Sequence, residues 1–285
     1  MSFAQAIALA LLQGVSELFP VSSLGHIILV PALLQWHNID RADPTFLAFV
    51  VVLHLGTALA LMLFYRKEWS GIVVALVRSI IRGRLSADRD ERIGWRLVVG
   101  TVPVGLLGVI AQDPVRKLFG SAIAAAAFLT INGLVMFVGE YLRRRQQRVE
   151  RTSHTIEQMS YAQSVAVGIA QAFALLPGIS RSGASIVAGL LCDLDHEEAA
   201  HYSFLLATPV ILAAALLEMP RFFAPGAHLA AVEALAGGIV AGVAAYLSVA
   251  FLTRYFKKND LRPFGWYCVI FGSVCLVLAR IGVLA

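Results

Sequence analysis

The stretches QGVSELFPVSSLGH, residues 13–26, and LPGISRSGAS, residues 176–185, interrupt otherwise apolar sequence. Each contains proline and glycine and then supplies hydroxyl and charged side chains. Polar groups at membrane depth are costly and are usually functional, and broken backbone at that depth persists only inside protein or beside water. We therefore expect the two stretches to form one site.

The composition is that of an integral membrane protein. Of the 285 residues, 59% are hydrophobic and 14% are charged, whereas a soluble domain carries about 25% charged residues. The net charge of +5 lies mainly in loops, so we interpret it as a topology signal and expect no nucleic-acid partner. The N-terminus lacks a basic n-region, and a removable signal peptide is not expected.

Six segments supply the roughly 20 apolar residues that a membrane span needs. They are residues 46–65, 93–112, 119–142, 199–219, 230–253 and 264–285. A shorter segment, residues 71–81, is expected either at the interface or as a tilted span. Most of the other apolar pieces are too short to cross alone.

Lysine and arginine concentrate in three loops, residues 66–92, 143–151 and 254–262. The positive-inside rule places these loops inside. Loops 37–45, 113–118 and 220–228, together with the C-terminus, are then expected outside.

Spans 46–65 and 199–219 are predicted to run in opposite directions, yet each follows a broken polar stretch. The stretches also match, with Ser22-Ser23-Leu24-Gly25 aligning with Ser180-Arg181-Ser182-Gly183. These properties are typical of an inverted-topology repeat.

The predicted fold is an all-α integral membrane protein, with residues 1–285 forming a single polytopic domain. One repeat half covers residues 1–142, a linker covers 143–160, and the second half covers 161–285. Two re-entrant helical hairpins, residues 3–36 from outside and 161–192 from inside, are expected to meet near the midplane.

The first stretch offers an acid, hydroxyls and an imidazole. Glu17 and Gln13 share one helix face, where a carboxylate can hold a divalent cation or act as a base. Ser23 is a candidate nucleophile with His26 or Glu17 as its base. Helix capping is an alternative role for Ser22 and Ser23.

The second stretch centres on Arg181, whose guanidinium matches phosphate oxygens bidentately. Ser180 and Ser182 flank it, and Gly178 allows the backbone to approach an anion closely. The sequence therefore predicts a phosphate-binding arginine.

Two other polar features are interpreted as structural. His54 stands alone in an apolar span, which favours a satisfied core histidine. Asp195 and Glu198 have the spacing of a capping box before the following helix.

These motifs resemble the undecaprenyl-diphosphate phosphatase family, the bacitracin-resistance proteins. Three patterns carry the resemblance: Gln13-x-x-x-Glu17 running into Phe19-Pro20-Val21-Ser22-Ser23-Leu24-Gly25-His26, then residues 176–185, and Tyr202-Ser203-Phe204-Leu205-Leu206-Ala207-Thr208-Pro209. The likeness covers nearly the whole chain.

The resemblance implies a multi-pass enzyme of the bacterial inner membrane that removes the terminal phosphate of undecaprenyl diphosphate and so recycles the cell-wall lipid carrier. It implies an active site facing the periplasm and dependence on Mg²⁺ or Ca²⁺. The family's acidic residues fall on Gln13 and Glu17, its serine on Ser23, its histidine on His26 and its arginine on Arg181. Many members have glutamate where this chain has Gln13, which puts a two-carboxylate metal site in doubt.

The resulting hypothesis is a metal-assisted hydrolysis. Glu17, Ser23, His26 and Arg181 are the expected catalytic residues, and Glu17 and Gln13 the expected metal ligands. The expected phosphate-binding residues are Arg181, Ser180, Ser182, Gly178, Ser22 and Ser185.

The expected partners are a polyprenyl diphosphate, whose tail lies along a lipid-facing groove, and membrane lipids, while a homodimer stays open. The alternative function is a secondary transporter or flippase for a lipid phosphate or another anion, since inverted repeats with broken helices are common in transporters.

Overall fold

The computed structural model describes residues 1–39, 43–110, 118, 121–147, 154–218 and 231–284, and this part of the chain contains α-helices and no β-strand. Its eleven α-helices are α1 (Phe3–Ser16), α2 (Ser23–Leu33), α3 (Pro44–Phe64), α4 (Arg66–Arg82), α5 (Arg89–Ile110), α6 (Ala122–Gln147), α7 (Tyr161–Ala172), α8 (Arg181–Leu191), α9 (His196–Glu218), α10 (Ala231–Tyr255) and α11 (Arg262–Arg280). Two 3₁₀ turns cover Ile156–Gln158 and Phe173–Leu175.

Six of the described helices, α3, α5, α6, α9, α10 and α11, are long and apolar enough to cross a membrane. Each overlaps one predicted span, so the six predictions are confirmed and the chain is a multi-pass, all-helical membrane protein. α5 begins at Arg89, before the predicted start, because a polar first turn precedes its apolar residues. The predicted outer loops 113–118 and 220–228 lie outside the described residues except for Leu118.

Residues 71–81 belong to α4, which is not among the six long apolar helices. Ile72 and Ala75 are buried, whereas Val73, Val77 and Ile80 are half or more exposed. This helix packs on α5, where Gly94 receives Leu76 and Ile72. Whether it lies at the interface or crosses at a tilt stays a prediction.

The short helices α1 and α7 pack against long helices in corresponding ways. α1 packs on α10, and α7 packs on α5. A Cβ added to Gly14 would lie 2.3 Å from the carbonyl oxygen of Ala241, and one added to Gly168 would lie 2.2 Å from that of Gly100. Both contacts therefore need a residue without a side chain.

Each short helix is followed by a loop and a second short helix that a serine caps. Ser22 Oγ accepts a hydrogen bond from Gly25 N over 3.2 Å at the start of α2. Ser180 Oγ accepts one from Gly183 N over 3.1 Å at the start of α8. The predicted capping role of Ser22 is confirmed, and the two loops begin their second helices in the same way.

The two loops touch each other and share an anchor on α6. A Cβ added to Gly25 would lie 3.1 Å from Gly178 Cα. Asn132 donates from Nδ2 to Pro20 O over 3.1 Å and accepts from Ser180 N over 3.0 Å. The buried side-chain amide of Asn132 therefore holds the two loops together.

The capping box predicted at Asp195 and Glu198 is half correct. Asp195 Oδ1 accepts from Glu198 N over 2.8 Å, as a capping residue does. The Glu198 carboxylate instead accepts from Ile156 N over 2.9 Å, because the 3₁₀ turn at Ile156–Gln158 brings an unsatisfied N–H close to it.

Candidate active site

Glu17, Ser23 and Arg181 meet where the two loops touch. Ser23 Oγ donates to Glu17 Oε2 over 2.6 Å, and Arg181 Nε lies 3.2 Å from Glu17 Oε1. Only 6% of the Glu17 side chain and 10% of the Arg181 side chain are exposed. The structure therefore places a carboxylate and a hydroxyl from the first loop beside a guanidinium from the second.

These side chains line a cavity of about 140 Å³ with a polar part and an apolar part. The polar part consists of Glu17, Ser22, Ser23, His54, Gln171, Ser180 and Arg181. The apolar part consists of Leu24, Val104, Ala174, Leu175, Ile179, Val210, Ile211 and Ala214. Such a cavity suits a ligand with a charged head and a hydrocarbon tail.

Arg181 keeps donor capacity for a further acceptor. Its Nη1 lies 3.3 Å from Ser203 O, and its Nη2 lies 3.5 Å from Glu17 O. Both contacts are at the long end of the hydrogen-bond range. The outer edge of the guanidinium is therefore suited to exchange these carbonyls for the oxygens of an anion.

His54 lies in the site, contrary to the core role that the sequence favoured. Its Nε2 is 3.5 Å from Glu17 Oε2, and its Nδ1 is 2.8 Å from Val50 O. Sequence pattern alone places this histidine in an apolar span, but the packing of α3 against α1 brings it to the carboxylate. The available signal was that His54 is the only histidine in the predicted span 46–65, which contains no Asp, Glu, Lys or Arg.

His26 faces α11 rather than Ser23. Its Nδ1 is 2.7 Å from Ser22 O and its Nε2 is 2.7 Å from the Tyr267 hydroxyl. The ring stacks with Tyr267 and Phe271 at centroid distances of 5.6 and 5.3 Å. No contact between His26 and Ser23 supports a direct proton transfer between them. The catalytic role of His26 as a base for Ser23 stays a prediction.

The other phosphate-binding candidates divide into two groups. Ser180 and Ser22 line the cavity. Ser182 Oγ donates to Phe19 O over 3.1 Å and so joins the two loops, while Ser185 Oγ donates to the backbone carbonyl of Arg181 over 2.8 Å within α8. Gly178 adopts a φ of 108° and lets the second loop pass close to α6.

Sequence reasoning did not identify Asn132, which joins the loops. It is 2% exposed, and an amide in the middle of an apolar span is costly unless it is bonded. That cost was the signal that could have found it.

Gln13 and Glu17 present the oxygens that a divalent cation would need. Gln13 Nε2 donates to Glu17 Oε2 over 3.1 Å, while Gln13 Oε1 is buried without a hydrogen-bond partner in the described part of the chain. The described residues contain no cluster of three or more His, Cys, Asp or Glu side chains that could hold a metal. One carboxylate and one amide oxygen still suit Mg²⁺, which commonly completes its shell with substrate phosphate and water.

Comparison with known proteins identifies the family. A family model described as bacitracin resistance protein BacA matches residues 6–274. An undecaprenyl-diphosphatase of Acidiphilium cryptum is 47% identical, over 97% of this chain and 98% of its own length. Undecaprenyl-diphosphatase 2 of Chromobacterium violaceum is 44% identical over 97% and 99%, and an undecaprenyl-diphosphatase of Mycolicibacterium paratuberculosis is 43% identical over 97% of both.

The match extends over nearly all of the sequence, including both broken stretches and the residues that line the cavity. The chain belongs to the bacitracin resistance protein BacA family.

Proposed function

We propose that this chain is a membrane phosphatase that hydrolyses undecaprenyl diphosphate to undecaprenyl phosphate and phosphate. The observation that carries the proposal is the contact of Glu17 with both Ser23 and Arg181 in one amphipathic cavity. Three relatives at 43–47% identity are named for this activity. Their names give no support to a transporter.

In the proposed reaction, Arg181 binds the non-bridging oxygens of the diphosphate and neutralises charge that develops on them. Ser23 Oγ attacks the terminal phosphorus and gives its proton to Glu17, which already accepts its hydrogen bond. The bond from phosphorus to the bridging oxygen breaks, and undecaprenyl phosphate leaves. Water then hydrolyses the phosphoserine, which releases phosphate and restores Ser23.

We propose that Glu17 and Gln13 hold a divalent cation, Mg²⁺ or Ca²⁺, next to the diphosphate. The orphaned Gln13 Oε1 supports this role, since a buried carbonyl oxygen without a donor is costly. Such an ion would supply charge neutralisation at the phosphate oxygens.

The fold proposed in the membrane is an inverted-topology repeat with two re-entrant hairpins, α1–α2 and α7–α8. The longest of these helices, α1, has 14 residues and is about 21 Å long, shorter than the roughly 30 Å hydrocarbon core. The matched contacts of α1 with α10 and of α7 with α5 support the repeat. Linker 143–160 separates the proposed halves.

We place the protein in the bacterial inner membrane with the cavity open to the periplasm. The basic segments 66–92, 143–151 and 254–262 support this orientation. Labelling of His37→Cys from the periplasmic side and of Lys258→Cys only after permeabilisation is the expected result. Labelling of both from one side would refute the orientation.

The polyprenyl tail is proposed to leave through the apolar part of the cavity, between Val104 on α5 and Val210 and Ala214 on α9. Val104 is buried and Ala214 is exposed, so the apolar wall of the cavity leads from the site towards the outer surface of the protein. The diphosphate then stays beside Arg181 while the tail reaches lipid.

The test is phosphate release from undecaprenyl diphosphate by the purified protein in detergent micelles with Mg²⁺. Turnover is expected without two compartments, and Arg181→Ala is expected to abolish it. A protein that binds the lipid but releases no phosphate would refute the phosphatase and favour the transporter alternative.

A further inference from the structure

Gln171 stands out among the side chains of the cavity because its amide is buried and unsatisfied. It is 0% exposed, and both Oε1 and Nε2 lack a hydrogen-bond partner among the described residues. It lies near the end of α7 and lines the cavity beside Glu17 and Arg181. The mechanism above does not use it.

Leaving both ends of a buried amide unpaired destabilises the folded protein. The half-buried Gln163 on the same helix has both ends of its amide paired: its Oε1 accepts from Ser160 N over 2.7 Å and its Nε2 donates to Cys192 O over 3.1 Å. Gln171 has no such partners among the described residues, so its amide is available to a group that enters the cavity.

The chemistry of that group follows from the amide and from its neighbours. Nε2 needs an acceptor, Oε1 needs a donor, and the guanidinium of Arg181 favours an anion in the same cavity. A phosphate oxygen and a water molecule that accompanies it meet both needs. Gln13, the glutamine of the other half, already donates one N–H of its Nε2 to Glu17, whereas Gln171 Nε2 has no acceptor among the described residues.

We propose that Gln171 is a substrate-binding residue whose Nε2 donates to a non-bridging oxygen of the diphosphate and whose Oε1 accepts from water. The inference rests on the proposed function for the identity of its ligand. In this role Gln171, from α7, supplies a neutral hydrogen-bond donor beside the charged donors of Arg181.

The decisive variant is Gln171→Leu, which keeps the size of the side chain and removes both unsatisfied groups. The Michaelis constant for undecaprenyl diphosphate is expected to rise about tenfold, the usual scale for one lost hydrogen bond to a charged group. The melting temperature without ligand is expected to stay level or rise. Gln171→Asn should recover part of the affinity.

Gln163→Leu is the matched control, since it removes a partnered glutamine from the same helix. It should lower the melting temperature and leave the Michaelis constant unchanged. An unchanged Michaelis constant in Gln171→Leu, or a melting temperature lowered as much as in Gln163→Leu, would overturn the inference and assign Gln171 a structural role.

Inorganic diphosphate separates this inference from the proposed function. It should raise the melting temperature of the unmodified protein and raise that of Gln171→Leu much less. If the unmodified protein shows this shift but releases no phosphate from the lipid, the proposed function fails and the anion-binding role of Gln171 stands. If turnover is normal and both proteins shift equally, the inference about Gln171 fails alone.

Discussion

The α1–α2 and α7–α8 pairs reach the cavity with the same capping hydrogen bond, which a serine before the second helix accepts from the backbone N–H of a glycine three residues later. The next residue differs, being Ser23 in one pair and Arg181 in the other. The backbone differs too, since Ser22 has a φ of 69° and Ser180 one of −84°. The same serine cap thus presents the proposed nucleophile from one side and the proposed phosphate ligand from the other.

This comparison teaches that neither pair is a site by itself. Glu17 contacts Ser23 within its own pair but needs the guanidinium of the opposite pair as its counter-ion. The cavity likewise takes its polar lining from both loops. Changes that separate the loops should therefore cost activity even where every catalytic side chain is retained.

The largest expected effect comes from replacing the planar guanidinium of Arg181, in the α7–α8 pair, with a side chain of the same charge. Arg181→Lys should lower kcat/KM by about 10²–10³-fold, because an ammonium cannot hold two phosphate oxygens in one plane. Arg280→Lys, at the exposed end of α11, is the control and should have no effect. A loss smaller than about threefold in Arg181→Lys would show that the charge alone suffices.

The second-largest expected effect comes from disrupting the close contact between the second loop and α6. Gly178 has a φ of 108°, and an added Cβ would lie 2.3 Å from Ala125 O. Gly178→Ala should lower the free energy of unfolding in detergent by more than about 2 kcal/mol and reduce activity with it.

Gly83→Ala is the comparison, since Gly83 also has a positive φ but nothing within 4 Å of an added Cβ. It should lower the free energy of unfolding by about 1–2 kcal/mol and leave turnover unchanged. Equal losses in the two variants would show that backbone conformation, and not loop packing, governs Gly178.

Two apolar clefts offer a test of the tail's route. Ala214→Trp fills the apolar wall between α5 and α9, and the Michaelis constant for undecaprenyl diphosphate should rise about tenfold with little change for a three-isoprene diphosphate. Leu59→Trp places the same bulk in the apolar groove between α3 and α10 and should affect neither substrate. The reverse pattern would move the tail to the α3–α10 groove.

The smallest expected effect concerns Gln13, which lies beside the Glu17 carboxylate in the α1–α2 pair. Gln13→Glu adds a second carboxylate beside Glu17 and should lower the Mg²⁺ concentration needed for half-maximal activity by about three- to tenfold. Titration of the EDTA-treated protein with Mg²⁺ measures this. A requirement that rises instead would place the cation away from Gln13.

Particular residues show how far sequence reasoning reached. Arg181 and Glu17 were identified because ions in apolar sequence must have partners, and the structure pairs them. The six long helices followed from hydropathy in the same way. Helix capping was considered as an alternative role for Ser22 and Ser23 because serine is a common residue at a helix start, and the structure shows it at Ser22.

His54, Gln171 and Asn132 show where that reasoning stopped. Each lies in a largely apolar helix outside the two interrupted stretches, and the sequence favoured a core role for His54. Only the packing of α3, α7 and α6 around the two loops decides that these side chains meet the cavity or join the loops.

The sequence by itself determined that the chain is a membrane protein and pointed to two interrupted stretches as its candidate site, because the cost of polar groups in lipid is a property of composition and local order. The tertiary structure decided which of those groups touch. It turned His26 towards Tyr267, left Glu17 to accept the hydrogen bond of Ser23, and brought Arg181 across 164 residues to the same carboxylate. Such choices depend on how helices pack, and packing is a property of the whole chain.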